Sequence, residues 1–288
     1  MALLAAIGSG SVIVPDGCDV ETRYHCAAVV TDPENASGRT LVLDGLRHSY
    51  VDLNDPTHLQ FRYVKAYAAA VDAAFPDGRP IEAHHIGGGG LTMPRYLSAT
   101  RPGSRNTVSE IDQGVVDIDQ QHLAAELGDD LQVRVEDGRL GLDALPAGSR
   151  DLVVGDAFGG VSVPWHLTTV EAVEKIHRAL RPHGVYALNV IDRGPLAFAR
   201  AEVATLMTTF DHVALASYPG ALAGDGSGGN LVVLASDAPL DTSAWAAQMT
   251  SRDVGWSVIA GDDLRAWVGD APVLTDDFAP VDQLLTPY

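Results

Sequence analysis

The chain has 288 residues, of which 46% are apolar and 20% are charged, a composition typical of a folded globular protein and not of a disordered chain. Its 19 basic and 38 acidic residues give a net charge of -19, which disfavours nucleic acid and anionic membranes as partners and would attract a cationic substrate. Solubility alone explains the same acidity equally well.

The first residues and the cysteines are weakly informative. The apolar stretch 1–14 is too short to span a bilayer, so we interpret it as a lead-in or first strand, with a trimmed hydrophobic segment as the alternative. Cys18 and Cys26 match neither a disulfide framework nor a metal-ligand spacing. We therefore expect a reducing, cytoplasmic location and no metal.

Short strand-like segments separated by turn residues occupy positions from about 18 to 51. They predict a small antiparallel β-unit, and we place the boundaries of this N-terminal domain at 1–54 and those of a catalytic domain at 55–288. Asp55 and Thr57 offer a cap for a following helix, which Pro76 stops.

From residue 81 onwards strand patterns alternate with helical patterns, which predicts a doubly wound α/β fold with a mostly parallel sheet. The last two strands are separated only by a glycine-rich turn and are expected to pair antiparallel. The predicted strands are 81–86, 107–112, 131–137, 149–158, 185–191, 212–217 and 231–236, and the main helices between them are 94–100, 115–127, 167–180 and 197–210.

Candidate ligand-binding residues lie at or just after the carboxyl ends of four of these strands, and these ends face one crevice in such a fold. The glycine run 87–90 permits close approach of a ligand to the backbone, although a flexible turn is an equal interpretation. Glu110 stands where a carboxylate accepts the hydroxyls of a ribose. Asp137 is placed for an adenine amino group or as a turn residue, and Asp156 is placed to deprotonate a nucleophile or to cap a turn.

Eight segments resemble the spermidine synthase family of aminopropyltransferases, and in particular its actinobacterial spermidine synthase-like members. They are ETRYHCAAVV (21–30), LVLDGLRHSYVDL (41–53), HHIGGGG (84–90), SEID (109–112), RVEDG (134–138), DLVVGDAF (151–158), LRPHGVYALNV (180–190) and LTDDFAPVDQL (274–284). The resemblance implies a Rossmann-like, methyltransferase-type domain, a homodimer, and S-adenosylmethionine or its decarboxylated form as cofactor. It implies Asp156 as the catalytic residue and cofactor contacts from Gly87, Gly88, Gly89, Glu110, Ile111, Asp137, Gly138, Asp156 and Ala157.

The positions that bind the polyamine in this family differ here. The aspartate after the glycine run is replaced by Gly90, the second aspartate of the catalytic loop by Gly159, and the helix glutamine after the substrate-pocket residue Tyr63 by Val64. A buried cation without a paired anion costs several kcal/mol. If aminopropyl transfer persists, Asp156, with Asp192 on the substrate side, must replace the missing acids.

Three functions remain open at this point. The first is transfer of an aminopropyl or related alkyl group to an amine, and the second is methyl transfer to a small molecule, for which the lost acids are no handicap. The third is a nucleoside-binding protein without catalysis. An NAD oxidoreductase is disfavoured by the incomplete glycine fingerprint.

Two further segments have alternative interpretations. Trp165 and His166 either form a lid over the site or pack in the core at a helix start. The acidic segment Thr275-Asp276-Asp277, ahead of Pro280 and Asp282, either approaches the mouth of the site and supplies negative charge for an amine or caps a terminal helix, and we favour the cap.

Overall fold

The structure, a computed structural model, describes residues 17–286, so the predicted lead-in or first strand at 1–14 lies outside the described residues. The first sheet consists of strands β1 (Val20–Glu21), β2 (Cys26–Thr31), β3 (Gly38–Leu43) and β4 (Leu46–Asp52). These strands pair antiparallel in the order β1-β2-β3-β4, which confirms the predicted β-unit. The domain boundary after residue 54 stays a prediction.

Cys18 and Cys26 are joined by a disulfide at the start of this sheet. The expectation that the two cysteines form no disulfide is wrong, because β1 folds back along β2 and brings their Cα atoms to 5.1 Å. Disulfides persist mainly in oxidising compartments. The cytoplasmic location therefore stays a prediction, and the disulfide counts against it.

The second sheet has eight strands in the part of the chain that the structure describes. They are β5 (Glu82–Ile86), β6 (Arg105–Glu110), β7 (Leu131–Val135), β8 (Arg150–Gly155), β9 (Leu180–Arg193), β10 (His212–Ser217), β11 (Gly228–Ser236) and β12 (Ser257–Ala260). Their order is β12-β10-β11-β9-β8-β5-β6-β7. Five neighbouring strands of this order run parallel: β9, β8, β5, β6 and β7. The remaining three each pair antiparallel with a neighbour: β11 with β9, β10 with β11, and β12 with β10. The doubly wound sheet and the antiparallel final pair are confirmed, and β12 is an additional strand.

Helices pack on both faces of this sheet. They are α1 (Arg62–Ala74), α2 (Thr92–Thr100), α3 (Gln113–His122), α4 (Gly138–Asp143), α5 (Val170–Ala179), α6 (Ala197–Leu206), α7 (Pro219–Leu222), α8 (Thr242–Ser251), α9 (Gly261–Val268) and α10 (Val281–Leu284). On β8, Leu152 and Val154 pack in one apolar cluster with α1, while Val153 packs with α5 and α6 in another. Coverage of both faces explains the continuous apolar run of this strand.

Helix α1 begins later than predicted. Its cap residue is Phe61, without a side-chain hydrogen bond, whereas Asp55 accepts hydrogen bonds from the backbone N–H and hydroxyl of Thr57 in a separate turn. Within residues 17–286, no helix has the length and apolar composition that crossing a bilayer requires.

Candidate active site

A cavity of about 1110 Å³ lies at the carboxyl ends of β5, β6, β8 and β9, where the β3–β4 hairpin and the start of α1 face the large sheet. The parallel strands place their following loops at this one edge, so the cavity collects residues that are distant in sequence. Of the predicted site residues, those that line it are Tyr63, Gly87, Gly88, Gly89, Glu110, Ile111, Asp137, Gly138, Asp156 and Ala157.

The glycine turn joins two of the predicted site residues. Gly87 has φ +101°, and a Cβ there would lie 2.6 Å from the carbonyl oxygen of Asp156. The backbone N–H of Gly88 donates to Oε2 of Glu110 at 2.7 Å. Glycine is thus required at Gly87 by both the backbone angle and the close approach of β8.

Glu110 is held in position by backbone donors on both of its carboxylate oxygens. Besides the Gly88 bond, Oε1 accepts from the N–H of Asp112 at 2.9 Å. Burial raises the pKa of Glu110 and these two bonds lower it in part. Each oxygen retains a second lone pair, so the carboxylate can accept further hydroxyl groups from the cavity. Ile111, which is 46% exposed, provides an apolar wall beside it.

Asp137 is the cap residue of α4. Its Oδ1 accepts from the N–H groups of Arg139 and Leu140 at 2.9 and 3.3 Å, and its Oδ2 lies 2.8 Å from Nε2 of His166. His166 lines the cavity, while Trp165 is 50% exposed, so core packing of Trp165 is wrong. The adenine contact of Asp137 and the lid stay predictions.

Asp156 follows β8 and is fixed by a chain of side-chain amides. Its Oδ1 accepts from Nδ2 of Asn189 at 2.9 Å, and Oδ1 of Asn189 accepts from Nδ2 of Asn230 at 3.0 Å. Burial raises the pKa of Asp156 to about 7, although hydrogen bonds from Asn189 and Tyr63 lower it in part. The Tyr63 hydroxyl also donates to the carbonyl of His48 at 3.4 Å. A carboxylate with this pKa can take a proton near neutral pH.

Sequence analysis missed the two asparagines. Asn189 stands alone as a polar residue in the apolar stretch 185–191, and its side chain is almost fully buried. A single amide side chain in a buried strand needs hydrogen-bond partners, so this pattern could have identified Asn189 as a candidate site residue.

The three other predicted site residues do not line the cavity. Gly90 has φ +78° and a Cβ there would lie 2.2 Å from Oγ of Ser49, so the position is closed to any side chain. A Cβ at Gly159 would meet nothing within 4 Å. The substrate-side role predicted for Asp192 does not fit its position. Its side chain is 1% exposed and accepts from the N–H groups of Arg193 and Ala199, which connects the end of β9 to α6. Its carboxylate does not replace the missing acids.

Arginines and aromatic rings form another part of the wall, which we call the arginine side: Arg47, Arg62 and Arg193. The guanidinium of Arg47, on β4, lies 5.2 Å from the ring centre of Phe61. Arg62, at the start of α1, donates to the hydroxyl of Tyr218 at 3.1 Å. Sequence analysis did not single out these residues, because their approach to the cavity depends on how the first sheet and α1 pack. We call Gly87, Gly88, Gly89, Glu110 and Asp137 the nucleoside side, after the contacts that the family resemblance predicts for them.

Asp276 does not line the cavity, unlike Asp282 a few residues later, so the approach of this acidic segment to the mouth of the site stays a prediction. Asp276 accepts from Nη1 and Nη2 of Arg139 at 2.7 and 2.6 Å and from the hydroxyl of Thr169 at 2.7 Å. The favoured helix-cap interpretation is wrong, since α10 begins only at residue 281. Because Arg139 also donates to the carbonyl of His166 at 3.0 Å, Asp276 supports the loop that carries His166.

Comparisons with known proteins were made for sequence and for structure. No family model matches the chain. A probable spermidine synthase from Corynebacterium glutamicum superposes with a TM-score of 0.83 at 29% identity, over 95% of this chain and 100% of that one. The resemblance to the spermidine synthase family is confirmed.

A second spermidine synthase-type relative is found by sequence. A polyamine aminopropyltransferase from Chromobacterium violaceum is 28% identical over 142 residues, which is 49% of this chain and 53% of that protein, so the match spans about half of the relative's length. Human methyltransferase-like protein 13, in complex with SAH, shares the fold with a TM-score of 0.51 at 17% identity, over 77% of this chain and 97% of that one. The methyltransferase-type fold is therefore confirmed as well.

Proposed function

We propose that this chain is a spermidine synthase-like transferase that moves an alkyl group from S-adenosylmethionine, or its decarboxylated form, to an amine. The observation that carries the proposal is the position of Asp156, whose pKa is raised to about 7 by burial, in the wall of a cavity shared with Glu110. The names of the two relatives, a probable spermidine synthase and a polyamine aminopropyltransferase, support it. The homodimer and the cytoplasmic location stay predictions.

The residues of the nucleoside side fit such a cofactor. Gly88 and Gly89 have no side chains to fill the space beside Glu110, and the cavity volume of about 1110 Å³ is ample for a nucleoside with its amino acid tail. Glu110 would accept the ribose hydroxyls, and Asp137, with Ile111 and Gly138 nearby, would contact the base. SAH bound to a methyltransferase of the same fold is consistent with this assignment.

The chain's own chemical task is to orient the acceptor and remove one proton. When bound, the sulfonium cofactor supplies an electrophilic carbon whose bond to sulfur breaks, with the electron pair left on sulfur, as the amine nitrogen attacks. The proton of that nitrogen passes to the carboxylate of Asp156. Asn189 and Tyr63 hold this carboxylate in place.

Methyl transfer is the second candidate function. The specific observation in its favour is that Gly90 cannot carry the acid that the family uses, since a Cβ there would collide with Ser49. A methyl group needs no such partner. A binding protein without catalysis is the third candidate, and it would use the nucleoside side alone.

The test combines binding and product analysis. Calorimetry would measure the affinities of S-adenosylmethionine, its decarboxylated form and methylthioadenosine, and mass spectrometry would identify products formed with a panel of amines. Alkylated amine and free methylthioadenosine support alkyl transfer, while methylated amine and SAH support the second candidate. Binding without any product supports the third, and no binding of any adenosyl compound would contradict the proposal.

A further inference from the structure

The arginine side is unusual because two of its arginines, Arg47 and Arg62, face the cavity and form no ion pair with an acid among the described residues. Acidic residues outnumber basic ones 38 to 19 in this chain, and three other buried or half-buried arginines do pair with acids: Arg101 and Arg252 both contact Asp72, and Arg139 contacts Asp276. Within residues 17–286, neither Arg47 nor Arg62 forms a salt bridge. Two guanidinium groups in one cavity therefore lack a salt-bridge partner in the described part of the chain, although the more distant charge of Asp32 acts on Arg47 and raises its pKa in part.

Arg47 is half-buried and incompletely satisfied. Its Nε is buried and has no hydrogen-bond partner among the described residues, and the guanidinium rests on the ring of Phe61. Burial lowers the pKa of Arg47, because its charged form loses hydration. An anionic oxygen at this place would satisfy the donor and offset the lost hydration.

Arg62 offers donors to the same region. Its Nη1 donates to the hydroxyl of Tyr218, whose ring lies 5.6 Å from the guanidinium, and the ring of Tyr218 in turn meets Trp256 at 5.4 Å. Tyr218 and Trp256 both line the cavity. The planar guanidinium keeps further N–H groups in the fork geometry that binds a carboxylate through two hydrogen bonds.

Few negative groups face these arginines. Of the acids in the cavity wall, Glu110 and Asp137 belong to the nucleoside side. The other two are Asp156 and the exposed Asp282, whose carboxylate accepts a hydrogen bond from Ser162. Asp156 is about half protonated at neutral pH, since its pKa is raised to about 7. A molecule with two positive charges would find fewer partners here than a molecule with a carboxylate.

We infer that the molecule bound beside Asp156 carries a carboxylate that Arg47 and Arg62 bind, so that the site takes an aminocarboxylate rather than a free polyamine. This inference rests on the proposed function and names its substrate class. The carboxylate has two possible sources: an acceptor that is an amino acid, or the amino acid end of S-adenosylmethionine itself.

Calorimetry with four proteins and matched ligand pairs tests the inference. The proteins are the unmodified chain, Arg47→Gln, Arg62→Gln and the control Arg23→Gln, which removes an arginine that rests on the ring of Tyr24 outside the cavity. S-adenosylmethionine is compared with its decarboxylated form, and 5-aminopentanoate is compared with putrescine in the presence of methylthioadenosine. The first pair differs in one carboxylate, and in the second pair a carboxylate replaces one of the two ammonium groups, so loss of the preference in the arginine variants is the result that decides.

The two sources give different results. If the cofactor supplies the carboxylate, the unmodified chain prefers S-adenosylmethionine over its decarboxylated form by about tenfold or more, and both cavity variants lose this preference. If the acceptor supplies it, 5-aminopentanoate binds about tenfold or more tightly than putrescine, with the same loss in the variants. Arg23→Gln should behave like the unmodified chain in both comparisons.

Three outcomes separate this inference from the proposed function. Failure of methylthioadenosine to bind the unmodified chain would contradict the proposed function itself. Binding of methylthioadenosine without a preference for the carboxylate-bearing ligand in either pair, or with carboxylate preferences that survive in both variants, would overturn the inference alone. Equal affinity of the cavity variants for methylthioadenosine would show that they are folded, so a lost preference cannot be attributed to unfolding.

Discussion

The nucleoside side and the arginine side of the cavity are built in different ways. Glu110 and Asp137 accept hydrogen bonds from backbone groups of the glycine turn and of helix α4, so the parallel sheet itself fixes them. Arg47 and Arg62 reach the cavity from the first sheet and from α1 and rest on aromatic rings. Side chains of the arginine side can therefore change without altering the backbone geometry that fixes the nucleoside side.

Removal of the proposed base should have the largest effect on activity. We expect Asp156→Asn to lower kcat by about 10²–10⁴-fold, because the amide cannot take the proton of the acceptor. Affinity for methylthioadenosine should stay within about twofold, since the backbone of Asp156, which contacts the glycine turn, is unchanged by the substitution. A comparison of kcat with calorimetric affinity checks both. A parallel loss of affinity would show that the two sides of the cavity are not separable.

The same substitution should change how stability depends on pH. The pKa of Asp156 is raised from 3.8 to about 7 in the folded chain, so the folded state binds more protons than the unfolded state between these values. The contribution of Asp156 to the free energy of unfolding is fully present below pH 4 and is lost as the pH rises to 7. The total loss is up to about 4 kcal/mol. Urea unfolding should show this loss in the unmodified chain and less of it in Asp156→Asn. An identical pH dependence in both proteins would contradict the assigned pKa.

Restoration of the two absent acids should give unequal results. We expect Gly90→Asp to lower the free energy of unfolding by about 3 kcal/mol or more, because the left-handed backbone and the collision with Ser49 both oppose a side chain. Gly159→Asp should change it by less than about 0.5 kcal/mol, since its Cβ meets no atom. Urea unfolding of the two variants measures the difference, and a stable Gly90→Asp would refute the described packing.

The carboxylate of the nucleoside side should matter for binding. Glu110→Gln is expected to lower the affinity for methylthioadenosine by about 10- to 100-fold, since it removes a charged acceptor and leaves one of two backbone donors without a good partner. Glu136→Gln is the matched control, because Glu136 accepts from Ser109 and does not line the cavity. Equal affinities in the two variants would contradict the ribose role of Glu110.

The smallest effect is expected from the amide chain behind Asp156. Asn189→Ala removes a hydrogen bond that lowers the pKa of Asp156, so that pKa should rise and the activity limb should move to higher pH. At pH 7 the rate should fall severalfold, because less of the base is ionised. Asn230→Ala should move the limb in the same direction by less. A pH–rate profile measures both shifts, and a move to lower pH would exclude this positioning role.

Sequence analysis predicted the fold and brought together the residues that follow parallel strands. The sequence was sufficient to predict that strand ends meet at one edge of the sheet, because strand order alone places them there. This prediction covers Gly87, Glu110, Asp137 and Asp156. Asp192 also lies at the end of a strand, but its carboxylate accepts from the backbone of α6, and no sequence pattern indicates this local hydrogen bond. Arg47 lies on the first sheet, so its place in the cavity depends on packing between elements.

Shorter elements and covalent links were also beyond the sequence pattern. Helix α4 has six residues and strand β12 has four, too few for a clear periodicity. The disulfide between Cys18 and Cys26 forms because β1 turns back onto β2. The presence of two cysteines in the sequence does not predict this turn. The missed features are those in which tertiary contacts decide the local structure.

The contact of Asp276 with Arg139 has a consequence for the order of events during synthesis. Arg139 lies beside the Asp137 cap and also holds the carbonyl of His166, so one side of the cavity is completed by a residue that leaves the ribosome after the rest of the large sheet. A nascent chain that ends before Asp276 would carry Glu110 and the glycine turn while its His166 loop lacked this tether. The part of the cavity wall that His166 forms is therefore supported by Arg139 and Asp276 only after the end of the chain has been synthesised and has packed against the large sheet.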